Sequence, residues 1–339
     1  MANLYLVLTF LIFQSCSPAK EFVFSGAKLR GVSMVAPPRK IENEPIKTIQ
    51  KINANWISLM PYAFVDKEKI QVFRSYNNPN KNNFQWWGET PEGIVKCIKM
   101  AKKNGLKTML KPHLWIGNGE FTGDLDFKNE ADWTKFEAEY ENYIMDFARI
   151  ADSTNAEMLC IGTEMKTFVK NRSAFWFGLI KKIKSQYKGQ LTYAENWDSY
   201  EAVPFWKELD FIGVDAYFPL SESKNLSKND IKKGWKNWKV NLKTLAVDTQ
   251  KPILFTEIGY QSQDFAGKAP WESQIIGLEN QENQAIALQG LFENVWQEKW
   301  LAGIFVWKWF PENNRDQARD RYSPQNRKAE EILKLNYSK

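Results

Sequence analysis

Residues 156–164 read AEMLCIGTE, and residues 252–257 read PILFTE. Each is a short apolar run that ends on a threonine and a glutamate, Glu164 in one and Glu257 in the other. A continuous apolar run of this length is the pattern of a parallel strand covered on both faces. Past residue 26 such runs alternate with longer amphipathic segments rich in Lys and Glu. The spacing predicts eight strands, at 28–35, 54–61, 106–115, 156–164, 190–197, 209–217, 252–258 and 302–309. Helical periodicity falls between them, at about 43–53, 91–104, 131–153, 173–187, 200–207, 229–248 and 280–299, with a last helix at 327–336. Thr90-Pro91 starts a helix with proline in its first turn, and Asn104-Gly105 and Lys188-Gly189 are C-cap signals just ahead of strands.

Strands that each lead into a helix point to an α/β fold, a single (β/α)8 TIM barrel over residues 26–339. The alternative is a doubly wound open sheet, which favours a glycine-rich first turn or a break in composition. The chain has neither, and no linker divides it. The longest irregular stretches, 62–89, 116–130 and 262–278, follow the second, third and seventh strands. They therefore fall at the carboxyl end of the barrel, where long loops wall a cleft.

Composition narrows the chemistry. A hydrophobic share of 43% supports a full core, and 25% charged residues is ordinary for a globular chain. Net charge is +6, with lysines such as Lys181, Lys182 and Lys184 on amphipathic faces, so a nucleic-acid partner is not expected. One histidine and three cysteines, well separated, give no metal-site spacing. No G-x-S-x-G, P-loop or G-x-G-x-x-G occurs, so neither metal nor organic cofactor is expected. Cys97 and Cys160 fall in apolar patterns and read as buried free thiols. The 15 Trp, 12 Tyr and 22 Phe are a high aromatic load, which fills core and interfaces or lines a cleft with flat rings that stack on sugars.

Glu164 ends the fourth strand and Glu257 the seventh. Barrel chemistry sits at the carboxyl ends of the strands, so the two face one mouth. A glycoside hydrolase that retains configuration needs two carboxyl groups about 5–5.5 Å apart, one to attack the anomeric carbon and one to donate and then recover a proton. The ionised nucleophile raises the pKa of its neighbour and so keeps the acid protonated. Glu195, Asp198, Asp215 and Glu312 are rival acids, with Asp215 a binding or structural group. Tyr217 ends the sixth strand, in reach of the nucleophile. Lys111, His113 and Trp115 alternate along the third strand and so share a face. Asn196 and Trp197 end the fifth strand and offer a hydroxyl partner and a ring face, while Trp86 and Trp87 either line a distant subsite or cap the barrel.

The segments IGTEM (161–165), GVDAYFP (213–219), FTEIGY (255–260) and FVWKWF (305–310) together resemble glycoside hydrolase family 113, known for β-1,4-mannanases. The resemblance spans nearly the whole chain after the leader. It implies a retaining glycosidase acting on a β-linked polysaccharide or oligosaccharide, with Glu164 as acid/base, Glu257 as nucleophile and Trp307 as the platform beneath the sugar at the cleavage site. Thr163 stands where the wider clan has asparagine, which leaves the partner of the sugar 2-hydroxyl open. The same mechanism on another β-glycan, or a surface glycan-binding barrel without catalysis, are the competing readings. A monomer is expected.

Residues 4–13, LYLVLTFLIF, form an apolar run of signal-peptide length, and Ser15-Cys16-Ser17 follows at once. This resembles a bacterial lipoprotein signal. It implies a signal peptide over 1–15, lipid on Cys16, a tether over 16–25 and an exported protein held at a membrane of the cell envelope. The alternative is a plain secretory peptide cut near Ala19.

Overall fold

All eight expected strands form, and they close on one another. The structure, a computed structural model, describes residues 21–41, 46–75, 85–274, 277–311 and 315–339. In chain order the strands are β1 (Leu29–Met34), β2 (Trp56–Leu59), β3 (Tyr62–Asp66), β4 (Gln71–Phe73), β5 (Lys107–Leu110), β6 (His113–Ile116), β7 (Met158–Thr163), β8 (Gln190–Asn196), β9 (Ile212–Asp215), β10 (Ile253–Ile258) and β11 (Leu301–Trp309). The order β1-β11-β10-β9-β8-β7-β5-β2 makes a closed barrel, with every neighbouring pair parallel. Around it lie α1 (Ile46–Gln50), α2 (Pro91–Lys103), α3 (Glu130–Thr154), α4 (Lys166–Asn171), α5 (Ser173–Gln186), α6 (Lys228–Thr249), α7 (Gln281–Asn294), α8 (Arg315–Arg319) and α9 (Lys328–Tyr337).

The third expected strand, 106–115, is two strands. Pro112 has no N–H to give, and the chain leaves the barrel there. Lys111 N still bonds Leu59 O at 2.8 Å, and beyond the proline His113 N bonds Pro61 O at 2.9 Å. From His113 onward β6 pairs in parallel with β3, and β4 adds to β3 antiparallel. This three-stranded sheet stands apart from the barrel and occupies part of a stretch, 62–89, expected to be irregular. The helix expected at 200–207 is instead two 3-10 turns, Tyr200–Ala202 and Trp206–Glu208. Pro204 separates them, and the residue before a proline avoids the helical region; Val203 accordingly has ψ 120°.

Helix ends follow their local chemistry. The Thr90 hydroxyl accepts from Gly93 N at 3.1 Å, Pro91 occupies the first turn of α2, and Gly105 beyond its end has φ +72°. Ser227 and Asp230 form a reciprocal capping box at α6. Gly189 is not a left-handed cap. Its missing Cβ makes room for the Tyr187 ring, whose hydroxyl would lie 2.0 Å from it.

Two apolar clusters hold the fold. Ile57, Leu159, Val214 and Ile253 pack outward against helix residues such as Phe136, Phe147, Trp176 and Trp235. Leu29, Trp56, Met109, Met158, Cys160, Leu254 and Phe305 fill the barrel interior, with Phe24 and Phe211 in contact at 6.2 Å near its amino end. Each large side chain so buried contributes about 1.5–3 kcal/mol. Cys97 and Cys160 are buried free thiols, and burial pushes each up to about 12. Phe22 packs on the outer cluster, and Phe24 N bonds Lys299 O at 2.8 Å, so the described part of the expected tether lies against the barrel. The leader and Cys16 fall outside the described residues. No helix among the described residues is long and apolar enough to cross a membrane. The apolar interior matters for function because it is the dry floor beneath the groups at the carboxyl end.

Candidate active site

Side-chain alternation aims the first group. Met109 points into the barrel, so Lys111, two residues on, points inward one layer higher. The two glutamates are placed by irregularities in their strands. Register shifts between Cys160 and Thr163 in β7, and between Phe255 and Glu257 in β10. Such bulges re-aim side chains at barrel rims. Glu164 also has φ +52°, in the left-handed region. That conformation costs a non-glycine residue on the order of 1–3 kcal/mol and is concentrated at functional sites. A bond from Glu164 N to Ala194 O, 2.8 Å, holds it.

Three charged groups share the floor. Lys111 is fully buried and bonds Asp215 Oδ2 at 3.1 Å and Glu257 Oε1 more closely. The Tyr217 hydroxyl donates to Glu257 Oε2 at 2.7 Å, and the Thr256 hydroxyl donates to Asp215 Oδ1 at 2.8 Å. Burial pulls the Lys111 ammonium toward neutrality, but Asp215 and Glu257 together outweigh it and leave its pKa raised. Burial, then the charge of Glu257, pushes Asp215 up to about 7. Glu164 is driven well above the carboxylate range, first by burial and then by the charges of Asp215 and Glu257. Glu257 therefore has both oxygens accepting, the arrangement of an ionised carboxylate, while Glu164 nearby holds a proton.

His113 Nε2 lies 3.6 Å from Glu257 Oε1, beyond hydrogen-bond length, and is buried with no hydrogen-bond partner among the described residues. Burial, with Lys111 adding to it, holds the imidazole pKa well below its usual value, so the ring is neutral. It packs against Tyr62 at 5.0 Å and lies nearly parallel to Trp307 at 6.5 Å.

These groups open into one cleft of about 710 Å³. Glu164, Asn196, Asp215, Tyr217, Glu257, His113, Trp115 and Trp307 all line it, as the sequence suggested. Loops 116–130 and 262–278 contribute walls through Gly119–Thr122 and Trp271–Ser273. Lys111 and Trp115 do not share a face: Lys111 is fully buried in the floor and Trp115 stands at the rim, half in solvent. Trp197 is not a cleft wall. It stacks behind Trp271, rings 4.7 Å apart and 25° from parallel, and braces that ring.

The rival acids sort by contact. Glu195 is tied up by Tyr193, Ser199 and Asn196 N, and Asp198 sits near Lys166 outside the cleft lining. Glu312 lies outside the described residues. Trp86 borders an adjacent hollow, and Trp87 packs on the core. No cluster of three or more His, Cys, Asp or Glu suited to a metal occurs among the described residues.

Sequence reasoning missed Tyr62, Trp271 and Tyr322, all cleft-lining. Tyr322, near the carboxyl end of the chain, holds the 262–278 loop through bonds to Pro270 O (2.6 Å) and Glu272 O (3.0 Å). No periodicity marks such residues. The one available signal was a tryptophan in a long loop on the functional side.

Comparison with known proteins agrees with the barrel fold. A structure of a GH113 β-mannanase from Alicyclobacillus acidocaldarius, in complex with ManMIm, matches with TM-score 0.80 at 23% identity, over 93% of this chain and 99% of that one. A structure of a GH113 β-1,4-mannanase matches with TM-score 0.78 at 22% identity, over 92% of this chain and 99% of that one. A β-glucuronidase from Ruminococcus gnavus shares the fold at TM-score 0.60 and 12% identity, over 92% of this chain and 50% of that one. A search of curated protein sequences found no match. The sequence model of Glycoside Hydrolase Family 113 matches residues 39–326, a span that carries both glutamates and the whole charged floor, and the chain belongs to that family of glycoside hydrolases.

Proposed function

We propose that this enzyme is a retaining β-1,4-mannanase in which Glu257 attacks the anomeric carbon and Glu164 is the acid/base. The observation that carries the reading is the contrast between the two carboxyl groups. Glu257 is fixed by Lys111 and Tyr217 through both oxygens, whereas Glu164 is driven to hold a proton. A fixed carboxylate is a nucleophile ready to attack, and a protonated one can give its proton to the leaving oxygen. As Glu257 bonds the anomeric carbon, Glu164 gives its proton to the leaving oxygen; the lost charge on Glu257 lowers the pKa of the Glu164 carboxylate, which then takes a proton from the incoming water as that water bonds the anomeric carbon and releases Glu257. Asp215 and Lys111 act through Glu257. Trp307 serves as the sugar platform. His113 and Asn196 take hydroxyl contacts, and the buried, unpartnered His113 nitrogen supplies a hydrogen bond that the protein itself does not use.

Mannan is the favoured substrate because the GH113 structures that match over nearly their full length are those of β-mannanases. The protein works outside the cytoplasm, exported by the 1–15 leader and held to a membrane of the cell envelope through lipid on Cys16. The test is hydrolysis of mannan, glucomannan, xylan and mixed-linkage glucan by the purified protein, with the anomer first released followed by NMR. Retained configuration with preference for mannan is expected. An inverted first product would remove Glu257 as nucleophile, and preference for another glycan would replace the substrate.

A further inference from the structure

The flank of the barrel far from the cleft carries a stripe of lysines. Lys232, Lys236, Lys239 and Lys243 recur at helical spacing along α6, with Lys233 beside them and Val240, 61% exposed, in their midst. The inward side of the same helix holds Ile231, Trp235, Leu242 and Ala246 in the outer apolar cluster. The lysines line a groove of about 620 Å³ between α6 and the end of α7, bordered by Asn294 and Glu298. Few acids answer their charge. Glu298 pairs with Lys239 at 2.6 Å, Glu293 pairs with Lys228 at 3.6 Å, and Lys233 has the Asp230 carboxylate for a neighbour. Lys232, Lys236 and Lys243 form no ion pair among the described residues. Like charges at this spacing destabilise a helix, and an anionic surface laid across them would remove the repulsion.

A second observation says which surface. Phe24 N bonds Lys299 O at 2.8 Å, Glu21 pairs with Lys299 at 3.3 Å, and Lys28 Nζ donates to Glu298 O at 3.1 Å. The segment that follows the leader thus meets the barrel at the residues that end the lysine groove. Cys16 lies five residues before Glu21 (21 − 16), so the covalent chain keeps it within about 18 Å of that residue. The stripe from Lys232 to Lys243 is itself about 17 Å long, at the helical rise per residue. Lipid on Cys16 would therefore bring a membrane within reach of the stripe.

We propose that the lysine flank of α6 docks on the anionic headgroups of the membrane that takes up the Cys16 lipid. The proposal rests on the lipid reading for its choice of a membrane over a soluble polyanion. Attraction of this kind is screened by salt and falls off within about 10 Å, so it orients a tethered protein and does not anchor a free one. Because α6 follows β9 and leads into β10, it runs back along the barrel from the mouth to the amino end. Docking through it lays the barrel on its side. The catalytic cleft then opens along the membrane and not into it, where a polysaccharide chain can reach it.

The test uses protein that begins at Ser17 and so carries no lipid, but keeps all eight barrel strands and both apolar clusters. At low salt it should sediment with phosphatidylcholine vesicles that contain phosphatidylglycerol, and not with phosphatidylcholine alone. Raised salt should release it. Lys232→Gln/Lys236→Gln/Lys243→Gln should lower the partition by at least about tenfold, since one lysine at a charged surface contributes about fivefold. Lys181→Gln/Lys182→Gln/Lys184→Gln removes the same charge from α5 and should lower it less than about twofold. Hydrolysis of soluble substrate should be unchanged in both variants. An environment-sensitive fluorophore on Val240→Cys should shift to the blue with the anionic vesicles, and one on Lys181→Cys should not; Cys97 and Cys160 are buried and leave the label to the new thiol. Equal loss in both triple variants, equal sedimentation with neutral vesicles, or no sedimentation at low salt would overturn the docking. In the last case, retention on an acidic polysaccharide that fails without the α6 lysines would name the ligand instead. Cys16→Ala judges the lipid on its own. Vesicle docking in a protein whose Cys16 proves unlipidated would sink the anchor and leave the flank, and release by Cys16→Ala without vesicle docking would do the reverse.

Discussion

The Tyr217 hydroxyl donates to Glu257 Oε2 at 2.7 Å while Lys111 holds the opposite oxygen. Hydrogen bonds to a charged group contribute about 1.5–3 kcal/mol. Tyr217→Phe should therefore lower kcat/KM by roughly 10- to 150-fold. The bond orients the carboxylate proposed to attack, so the fall should appear in kcat. Steady-state kinetics that placed the loss in KM alone would make Tyr217 a binding residue.

The two glutamates are told apart by rescue. Glu257→Gly should lose at least about 10⁴-fold in kcat on an aryl glycoside. Azide should restore turnover by entering the vacated face, giving a glycosyl azide of inverted configuration. Glu164→Ala with azide should give the retained product, because azide then attacks a glycosyl-enzyme. NMR of the two azides checks this, and exchanged configurations would exchange the roles.

With Glu164 as the proposed acid, its raised pKa should set the alkaline limb of the pH profile. The acid works while protonated, so kcat/KM should fall as pH rises through that pKa, which lies well above the ordinary value of 4.5. With a leaving group that needs no proton, Glu164→Gln should lose this limb. A profile that keeps it would attribute the limb to another group.

Lys111 is the buried cation between two buried carboxyl groups, and its loss leaves them uncompensated. Lys111→Met should cost about 3–5 kcal/mol at neutral pH. Asp215 is already raised from 3.8 to about 7, Lys111 lowers it together with the Thr256 hydroxyl, and loss of Lys111 therefore raises it further. An acid with a raised folded-state pKa binds more protons when folded, so stability is gained at low pH and lost as pH rises through that value. Urea denaturation should find the deficit smaller at pH 5 than at pH 8. A deficit independent of pH would point to packing alone.

The proposed lipid on Cys16 is tested in the chain that carries the leader. Cys16→Ala should move the protein from the membrane fraction to the soluble fraction of the cell envelope, with activity per molecule unchanged. An unchanged membrane fraction would place the attachment elsewhere.

The barrel was legible because its strands are continuous apolar runs, a local signal that AEMLCIGTE and PILFTE carry openly. Glu164, Glu257, Tyr217 and Asp215 were legible for the same reason, since each closes or follows such a run. The split at Pro112 was not, because β6 owes its existence to pairing with Tyr62–Val65, far away in sequence. Trp271 and Tyr322 escaped for a related cause: a loop wall has no period, and its place depends on bonds such as Tyr322 to Pro270 O. Trp197 follows the last residue of β8 as expected but does not line the cleft, because the folded chain stacks it on Trp271, which does.

The sheet formed by β3, β4 and β6 closes no part of the barrel. The eight barrel strands complete their ladder without it, and the charged floor is built from other elements, yet this sheet carries Tyr62, Phe64, His113 and Trp115 to the mouth. Part of the cleft wall is thus carried on backbone that the barrel ladder does not need, while Ala63, Val65, Leu114 and Ile116 of the same sheet belong to the outer apolar cluster. Exchange of residues at its exposed edge can retune which saccharide is preferred while the scaffold keeps its melting temperature, which makes this small sheet the natural place to begin when redirecting the enzyme to a new glycan.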